Sequence, residues 1–294
     1  MQPVKCSNKS KNVPTRPSST LSLMEVLYGL HPVEEALKAG RRRFDHVLVG
    51  RERQDDRLER LVNLCRQAGV RVRQEAREQL TLLAKTEAHQ GVVAMVYPQE
   101  FLSIEDLFEP AAEKPGARRL LLALDGVEDP QNLGALLRVA DGAGVDGVVL
   151  TERRSAPLRP VAVKASAGAT ENLRIARVVN LVRALEELKR KNLWIIGLDE
   201  RGTTDYDQFD LTGDCVIVLG REGAGLHDLV RRTCDHLLRI PMAGGVSSLN
   251  VSAAGAVVLY EAFRQRRNAA RPANSEFAKV GAAQKPRKQK GLGS

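Results

Sequence analysis

Five polar residues stand in three turns whose pattern suits them to meet around one ligand: Asn132, Arg138, Glu222, Ser248 and Asn250. Asn132 and Arg138 stand in Asp129-Pro130-Gln131-Asn132-Leu133-Gly134-Ala135-Leu136-Leu137-Arg138. Glu222 heads the turn Gly220-Arg221-Glu222-Gly223-Ala224-Gly225. Ser248 and Asn250 close the stretch Ile240-Pro241-Met242-Ala243-Gly244-Gly245-Val246-Ser247-Ser248-Leu249-Asn250. Each turn follows an apolar, strand-like run and opens a helix-like pattern. Glycines and hydroxyls in such turns leave backbone N–H groups open to a ligand at a helix N-terminus.

Each residue also has a plainer reading. Arg138 is a lone cation among Leu136, Leu137, Val139 and Ala140, and burying it alone is costly, so it should pair with an acid or a phosphate. An ion pair within the fold would serve equally. It lies six residues beyond Asn132, roughly across the helix axis, although a loose first turn could leave both near one rim. Glu222 could cap a helix. Ser248 reads as an N-cap with Asn250 in the first turn, and capping accounts for one of them but not both.

Familiar motifs are missing. Gly220-x-x-Gly223-x-Gly225 has the wrong order for the dinucleotide fingerprint, and no Gly-x-x-x-x-Gly-Lys-Ser/Thr occurs. Ser247 and Ser248 are not in a Gly-x-Ser-x-Gly elbow. His31, His46, His89, His227 and His236 are scattered without metal-ligand spacing and read as surface or packing residues. Cys6, Cys65, Cys215 and Cys234 form no Cys-x-x-Cys pair and read as reduced packing residues of a cytoplasmic chain. No unbroken apolar stretch approaches membrane-spanning length, and no secretory signal is visible, so no membrane partner is expected.

The elements that must position these turns follow from hydrophobic periodicity. Residues 1–23 read as an unfolded basic extension, or as sequence ahead of a start at Met24. A small α/β domain is expected over 24–97, with helices at 31–38, 57–67 and 78–83 and strands at 47–49, 70–72 and 92–96. Residues 98–117, with acids around three prolines, read as a linker containing one short helical turn. A second domain over 118–267 alternates strands at 120–124, 147–150, 173–178, 193–198, 215–219 and 237–240 with helices at 133–143, 164–169, 181–191 and 248–265. Its unbroken apolar strands imply a parallel sheet covered on both faces, with ligands beyond the strands' carboxyl ends. Residues 268–294 read as a disordered tail. The net charge of +9 is uneven: residues 1–23 carry +4 and 264–294 carry +8, leaving −3 for the body. Such tails favour phosphate backbones without reading sequence, or simply aid solubility.

The three turns, in this order and spacing, resemble the motifs of the SPOUT superfamily of RNA 2′-O-methyltransferases, closest to the bacterial 23S rRNA guanosine branch of the TrmH family. Tyr28-Gly29-Leu30-His31-Pro32-Val33-Glu34-Glu35-Ala36-Leu37 and His89-Gln90-Gly91-Val92-Val93-Ala94 resemble the opening and closing segments of that family's L30e-like RNA-binding domain. The likeness covers about residues 24–267. It implies a C-terminal SPOUT domain with a deep trefoil knot, a homodimer, and S-adenosylmethionine as cofactor with no metal. By the same resemblance the cofactor would be held around Gly197, Leu198, Gly220 and Ile240, with Leu249 closing on the adenine.

Arg138, Asn132, Glu222, Ser248 and Asn250 match the family's catalytic positions. The family proposal makes Arg138 the base. A free guanidinium rarely yields its proton, and stabilising a developing alkoxide would demand the same residue. The first domain would hold ribosomal RNA, as 23S rRNA or a pre-ribosomal particle, through clusters such as Arg41-Arg42-Arg43. With 4% aromatic residues, shape and backbone contacts should outweigh base stacking. A tRNA target, an RNA-binding or ribosome-assembly factor with an idle pocket, and a nucleotide-dependent oxidoreductase are the alternatives.

Overall fold

The computed structural model describes residues 24–52, 55–108, 118–153, 155, 156, 158 and 160–270. The extension expected over 1–23, the linker from 109 to 117 and the tail from 271 onward lie outside the described residues. The chain divides into two compact units, with the boundary between Glu100 and Phe101.

Unit 1 runs β1 (Glu25–Tyr28), α1 (Leu30–Ala39), β2 (Phe44–Gly50), α2 (Asp56–Gln67), β3 (Arg71–Glu75), α3 (Arg77–Ala84) and β4 (Val92–Val96). Its sheet has the order β1-β4-β2-β3, with β4 antiparallel to both β1 and β2, and β2 parallel to β3. The apolar run Val92-Val93-Ala94 pairs on both sides and is fully buried. β1, for which periodicity gives no strand, forms because its edge pairing with β4 outweighs its weak pattern. Asp55 caps α2 by accepting hydrogen bonds from the N–H groups of Arg57 and Leu58.

Two polar groups inside unit 1 are structural. His89 is fully buried; its Nδ1 accepts from the Gly91 N–H at 3.0 Å, and Nε2 pairs with Thr81 Oγ1 at 3.0 Å. A ring that accepts at one nitrogen is neutral, and burial, helped by Arg77, pushes its pKa down. The expected RNA-gripping cluster at Arg41-Arg42-Arg43 needs correction. Arg42 is buried and bonds Glu25 Oε2 at 2.8 Å and the Tyr97 carbonyl at 3.2 Å, while the Arg43 guanidinium lies 4.3 Å above the Tyr97 ring. Both clasp the ends of β1 and β4, so three adjacent cations do not make one basic face.

Unit 2 begins with α4 (Ile104–Phe108), continues through β5 (Leu120–Leu124), α5 (Pro130–Gly142), β6 (Gly147–Thr151), α6 (Pro160–Ala165), α7 (Ala169–Asn172), β7 (Ile175–Val178), α8 (Leu181–Arg190), β8 (Trp194–Leu198) and β9 (Thr204–Asp205), and ends with β10 (Cys215–Leu219), α9 (Asp228–Thr233), β11 (His236–Arg239) and α10 (Val251–Ala269). The sheet order is β7-β6-β5-β10-β8-β11-β9, and every pair is parallel. β5 and β10 are buried at every residue, as strands covered on both faces must be. One core packs α5 and α10 against the sheet through Leu122, Leu133, Leu136, Leu137 and Leu259, and another packs α8 through Leu181, Leu185 and Leu188. The spacing of those α8 leucines is one helix face.

Several boundaries differ from the periodicity reading. Residues 101–108, expected in the linker, are part of unit 2: Leu102 bridges Ala176, and Ile104 and Leu107 are buried. The helix expected over 164–169 breaks at Ser166–Gly168, where Ala167 and Gly168 take positive φ. The last helix begins at Val251 with Asn250, not Ser248, as its cap.

Arg266, near the end of α10, ties that helix to the segments that lead into the central strands β5 and β10. Its guanidinium donates to the carbonyls of Leu211 at 2.9 Å, Arg118 at 2.7 Å, Arg119 at 3.0 Å and Gly213. Replacing it leaves four acceptors, three of them part-buried, short of a charged donor. Arg266→Ala is expected to lower unfolding stability by about 2–3 kcal/mol, the scale of hydrogen bonds to a charged group. Urea titration of the two proteins would measure this, and a change below about 0.5 kcal/mol would reject the clasp.

Candidate functional site

The three polar turns lie beyond the carboxyl ends of β5, β10 and β11, where a parallel sheet leaves a crevice. After β5, Asp129 caps α5 by accepting from the N–H groups of Gln131 and Asn132, and Pro130 fills the first helical position. Asn132 therefore projects from the first turn of α5. After β10, the chain folds back on itself through paired backbone bonds of 3.0 Å between Arg221 and Gly225. A Cβ on Gly220 would meet Gly225 backbone atoms at 2.3 Å and 2.4 Å, so only glycine lets this turn close. Glu222 stands on its outer rim.

These turns meet in a closed triangle. The Asn132 Nδ2 donates to Glu222 Oε2 at 3.0 Å, and the Asn250 Nδ2 donates to Glu222 Oε1 at 2.9 Å and to Asn132 Oδ1 at 3.0 Å. The orientation of the Asn250 amide is fixed by chemistry: its Oδ1 accepts from the Ser252 N–H at 2.9 Å, a group that can only donate. Ser252 Oγ adds a second bond to that oxygen at 2.6 Å. Asn250 is thereby saturated, with both amide protons and both lone pairs engaged. Asn132 keeps one N–H and one lone pair, and each Glu222 oxygen keeps a lone pair, so these two residues retain capacity for a substrate.

Beside the triangle lies a half-open cleft of about 780 Å³, counting its mouth. Its apolar wall is Leu198, Leu219, Ile240, Leu249 and Val251, its floor includes Gly220, Gly223 and Gly225, and Glu222 and Ser248 stand on its border. Leu198, Gly220, Ile240 and Leu249, four of the residues expected around a cofactor, are thus brought together. Gly197 is not in that lining. A Cβ there would sit 2.8 Å from Cys234 Sγ and Leu226 Cδ1 and 2.9 Å from Leu237 Cδ2, so the glycine serves close packing beneath the sheet.

Arg138 stands apart. It is exposed, it does not line the cleft, and among the described residues it makes no hydrogen bond or ion pair. Of the two partners expected for Arg138, an acid within the fold is not found among the described residues, for a simple reason. Adjacent residues point different ways on a helix, and α5 buries Leu133, Leu136, Leu137 and Ala140 while turning position 138 outward. The regular first turn also leaves Asn132 and Arg138 about 120° apart around the axis.

Three site residues escape sequence reasoning. Ser252 acts through Asn250. Asp125, 5% exposed at the end of β5, accepts from the His227 N–H at 2.7 Å and pairs with His227 Nδ1 at 2.9 Å, which locks the glycine turn to β5. Asp199 lines the cleft from the end of β8. Their shared signal is position: each polar residue comes one or two places beyond a buried strand or beside a cap. The thiols stay outside the chemistry, since burial pushes Cys65 up to about 11 and Cys234 up to about 12. Among the described residues no helix is long and apolar enough to cross a membrane.

Comparison with known proteins agrees with this geometry. Residues 119–260 match the SpoU rRNA methylase family, and residues 26–102 match the family described as RNA 2′-O ribose methyltransferase substrate binding. The chain is 44% identical over 242 residues to the 23S rRNA (guanosine-2′-O-)-methyltransferase RlmB of Vibrio vulnificus, covering 82% of this chain and 97% of that one. Against the enzyme of the same name from Pseudomonas syringae pv. tomato, identity is 41% over 246 residues, covering 84% and 98%. Among solved structures, the SpoU methyltransferase AviRb from Streptomyces viridochromogenes, in complex with AdoMet, superposes with a TM-score of 0.71 at 26% identity, covering 86% of this chain and 95% of that one. An AdoMet-bound rRNA methyltransferase from Sinorhizobium meliloti gives 0.69 at 26% identity, covering 83% and 88%. With both units matched and the polar triangle at the carboxyl ends of the strands, the chain belongs to the SpoU rRNA methylase family.

Proposed function

We propose that this protein transfers a methyl group from S-adenosylmethionine to the 2′-hydroxyl of a guanosine ribose in 23S ribosomal RNA. The observation that carries the reading is the Asn132–Glu222–Asn250 triangle standing on the rim of a glycine-floored cleft. The cleft fits the cofactor: Leu198, Leu219, Ile240 and Leu249 offer an apolar slot for an adenine, and the tight glycine turn leaves backbone groups within its reach. When bound, S-adenosylmethionine supplies a methyl group on a sulfonium, which leaves as a neutral thioether when the new C–O bond forms.

The chain's residues then have separable tasks. Asn250, already saturated, positions the other two. Glu222 offers free lone pairs to the ribose hydroxyl, through which its proton can leave, and Asn132 offers the remaining N–H. Holding nucleophile and methyl in line supplies much of the acceleration. Ser248, exposed on the cleft border, is placed to contact the ribose or its phosphate.

Arg138 needs a second copy of the chain. Its guanidinium is outward and makes no pair among the described residues, and α5 packs beside α10, where Tyr260 is 49% exposed. In a homodimer joined through this face, Arg138 would reach the partner's cleft and stabilise the developing alkoxide while keeping its charge. The trefoil knot and a cytoplasmic location belong to the same reading. A ribosomal target is favoured over tRNA because the substrate-binding family matches unit 1 and the relatives of highest identity given above are named for 23S rRNA.

Incubation with tritiated S-adenosylmethionine and a mixture of unmodified 23S rRNA and tRNA is expected to label one guanosine 2′-oxygen of the 23S rRNA. Label confined to tRNA, or none, would reject the substrate or the activity. Asn250→Asp should keep the helix cap and melting temperature yet lower methyl transfer at least a hundredfold, because a second carboxylate would face Glu222. Arg138→Ala and Glu222→Ala should each be inactive, while a mixed dimer of the two should regain about half of wild-type activity if the arginine serves its partner. A silent mixed dimer would place Arg138 in its own protomer's chemistry.

With Arg42 and Arg43 engaged in the fold, other cations of unit 1 must meet RNA. Arg51, Arg57 and Arg77 are exposed, their side chains make no bonds among the described residues, and they border two shallow clefts that share Gln90. Replacing all three by glutamine is expected to weaken RNA binding about ten- to hundredfold near 150 mM salt and to reduce the salt slope. Filter binding across a salt series would measure both, and an unchanged slope would move the grip elsewhere.

A further inference from the structure

Besides Glu222 and the exposed Glu200, the cleft is lined by a third carboxylate, which no part of the methyl-transfer machinery explains. Asp199 follows β8 directly and is only 7% exposed, although it is an ionisable side chain on the wall of the cleft. Its Oδ1 accepts the Arg201 N–H at 3.0 Å, and its carbonyl accepts the Gly202 N–H at 2.9 Å, which together hold the turn after β8. Its Oδ2 accepts no hydrogen bond among the described residues. That oxygen faces the glycine turn: a Cβ built on Gly225 would lie 3.3 Å from it.

A turn-forming aspartate needs only one oxygen and normally stays wet. Burying a carboxylate with an oxygen left open is costly unless a donor arrives. Asp199 lines the cleft, so a ligand bound there can supply that donor. Asp199 is also the immediate neighbour of Leu198, in the apolar wall, whereas Glu222 and Asn132 mark the end where the methyl must be presented. Under the cofactor reading, the open oxygen next to this wall is available to the nucleoside.

We infer that Asp199 is a specificity-determining residue that accepts a hydrogen bond from a hydroxyl of the cofactor's own ribose. The inference rests on the S-adenosylmethionine reading above, and deepens it. Such a contact selects adenosyl ligands with an intact ribose over deoxy analogues, because an unfilled carboxylate is penalised when the hydroxyl is missing. Asp199 takes no part in the transfer itself.

The test is calorimetric binding of S-adenosylhomocysteine and three analogues: the 2′-deoxy and 3′-deoxy forms, and one lacking the α-amino group. Asp199→Ala is expected to weaken S-adenosylhomocysteine about ten- to hundredfold, as loss of a hydrogen bond to a charged acceptor would. For one deoxy analogue the wild type should already bind weakly and Asp199→Ala should add nothing, while the amino-lacking analogue should keep the full penalty. Asp199→Asn retains the Oδ1 acceptor for Arg201, so it carries the same comparison if the alanine variant fails to fold. An equal penalty with every ligand would assign Asp199 to the turn alone. A penalty that disappears only with the amino-lacking analogue would assign it to the ammonium, and either result overturns the inference. Wild-type protein that binds no S-adenosylhomocysteine would reject the cofactor reading itself, and this inference with it, whereas wild-type binding unchanged by Asp199→Ala rejects this inference only.

Discussion

Everything the site can do depends on one carboxylate being shared by two amides. Glu222 receives Asn132 and Asn250 from turns 90 and 28 residues away in sequence, and the two amides also bond to each other. The triangle is partly solvent-exposed, so its hydrogen bonds cannot be what brings the turns together; hydrogen bonds to charged groups contribute about 1.5–3 kcal/mol and less when wet. Each fully buried leucine beneath them contributes about as much, and Leu122, Leu133, Leu136, Leu137 and Leu219 all lie in one core. The apolar sheet and its helices position the turns, and the triangle selects one arrangement of side chains on that frame.

The frame succeeds because backbones approach closely where the turns must meet. A Cβ on Gly255 would sit 2.4 Å from Leu136 Cδ2, so α10 lies tight against α5 and carries Asn250 toward Asn132. At the far end of α10, Arg266 fixes the helix to the starts of β5 and β10. Between those restraints Asp125 bonds both the backbone and the ring of His227, which holds the turn bearing Glu222. The three triangle residues Asn132, Asn250 and Glu222 are thus held by neighbours that do not line the cleft.

How much of this was legible in the sequence depends on what kind of force decides each feature. The strands of unit 2 were readable because burial on both faces leaves unbroken apolar runs, as in Leu120–Leu124 and Cys215–Leu219. β1 and β9 were not, since pairing with a distant partner, not local pattern, makes them strands. The convergence of three motifs followed from their likeness to a family, whereas the identity of the α10 cap turned on a local competition. Ser248 and Asn250 are both good caps, and Asn250 wins because Ser252 supplies two donors to its oxygen. Charge was the poorest guide. Arg42 and Arg43 read as a basic patch and are clasps, while Arg138 read as buried and is outward, because linear neighbours say little about which face of a helix a residue occupies.

The exposure pattern carries a final consequence. Glu222, Ser248, Asn250 and Arg138 are all exposed in one chain, yet charged chemistry gains most from a site that excludes water. Asp199 alone among the cleft's acids is buried, and it follows directly on Leu198 in the apolar wall. One protomer therefore supplies a dry, shaped half for the cofactor and a wet half for the nucleophile. Under the proposed function, what dries the wet half comes from outside the chain: the RNA, which would bring the ribose, and a second copy, which would bring the missing cation. On that proposal the single chain could bind cofactor before it could methylate, and catalytic competence would arise only when both covers were in place.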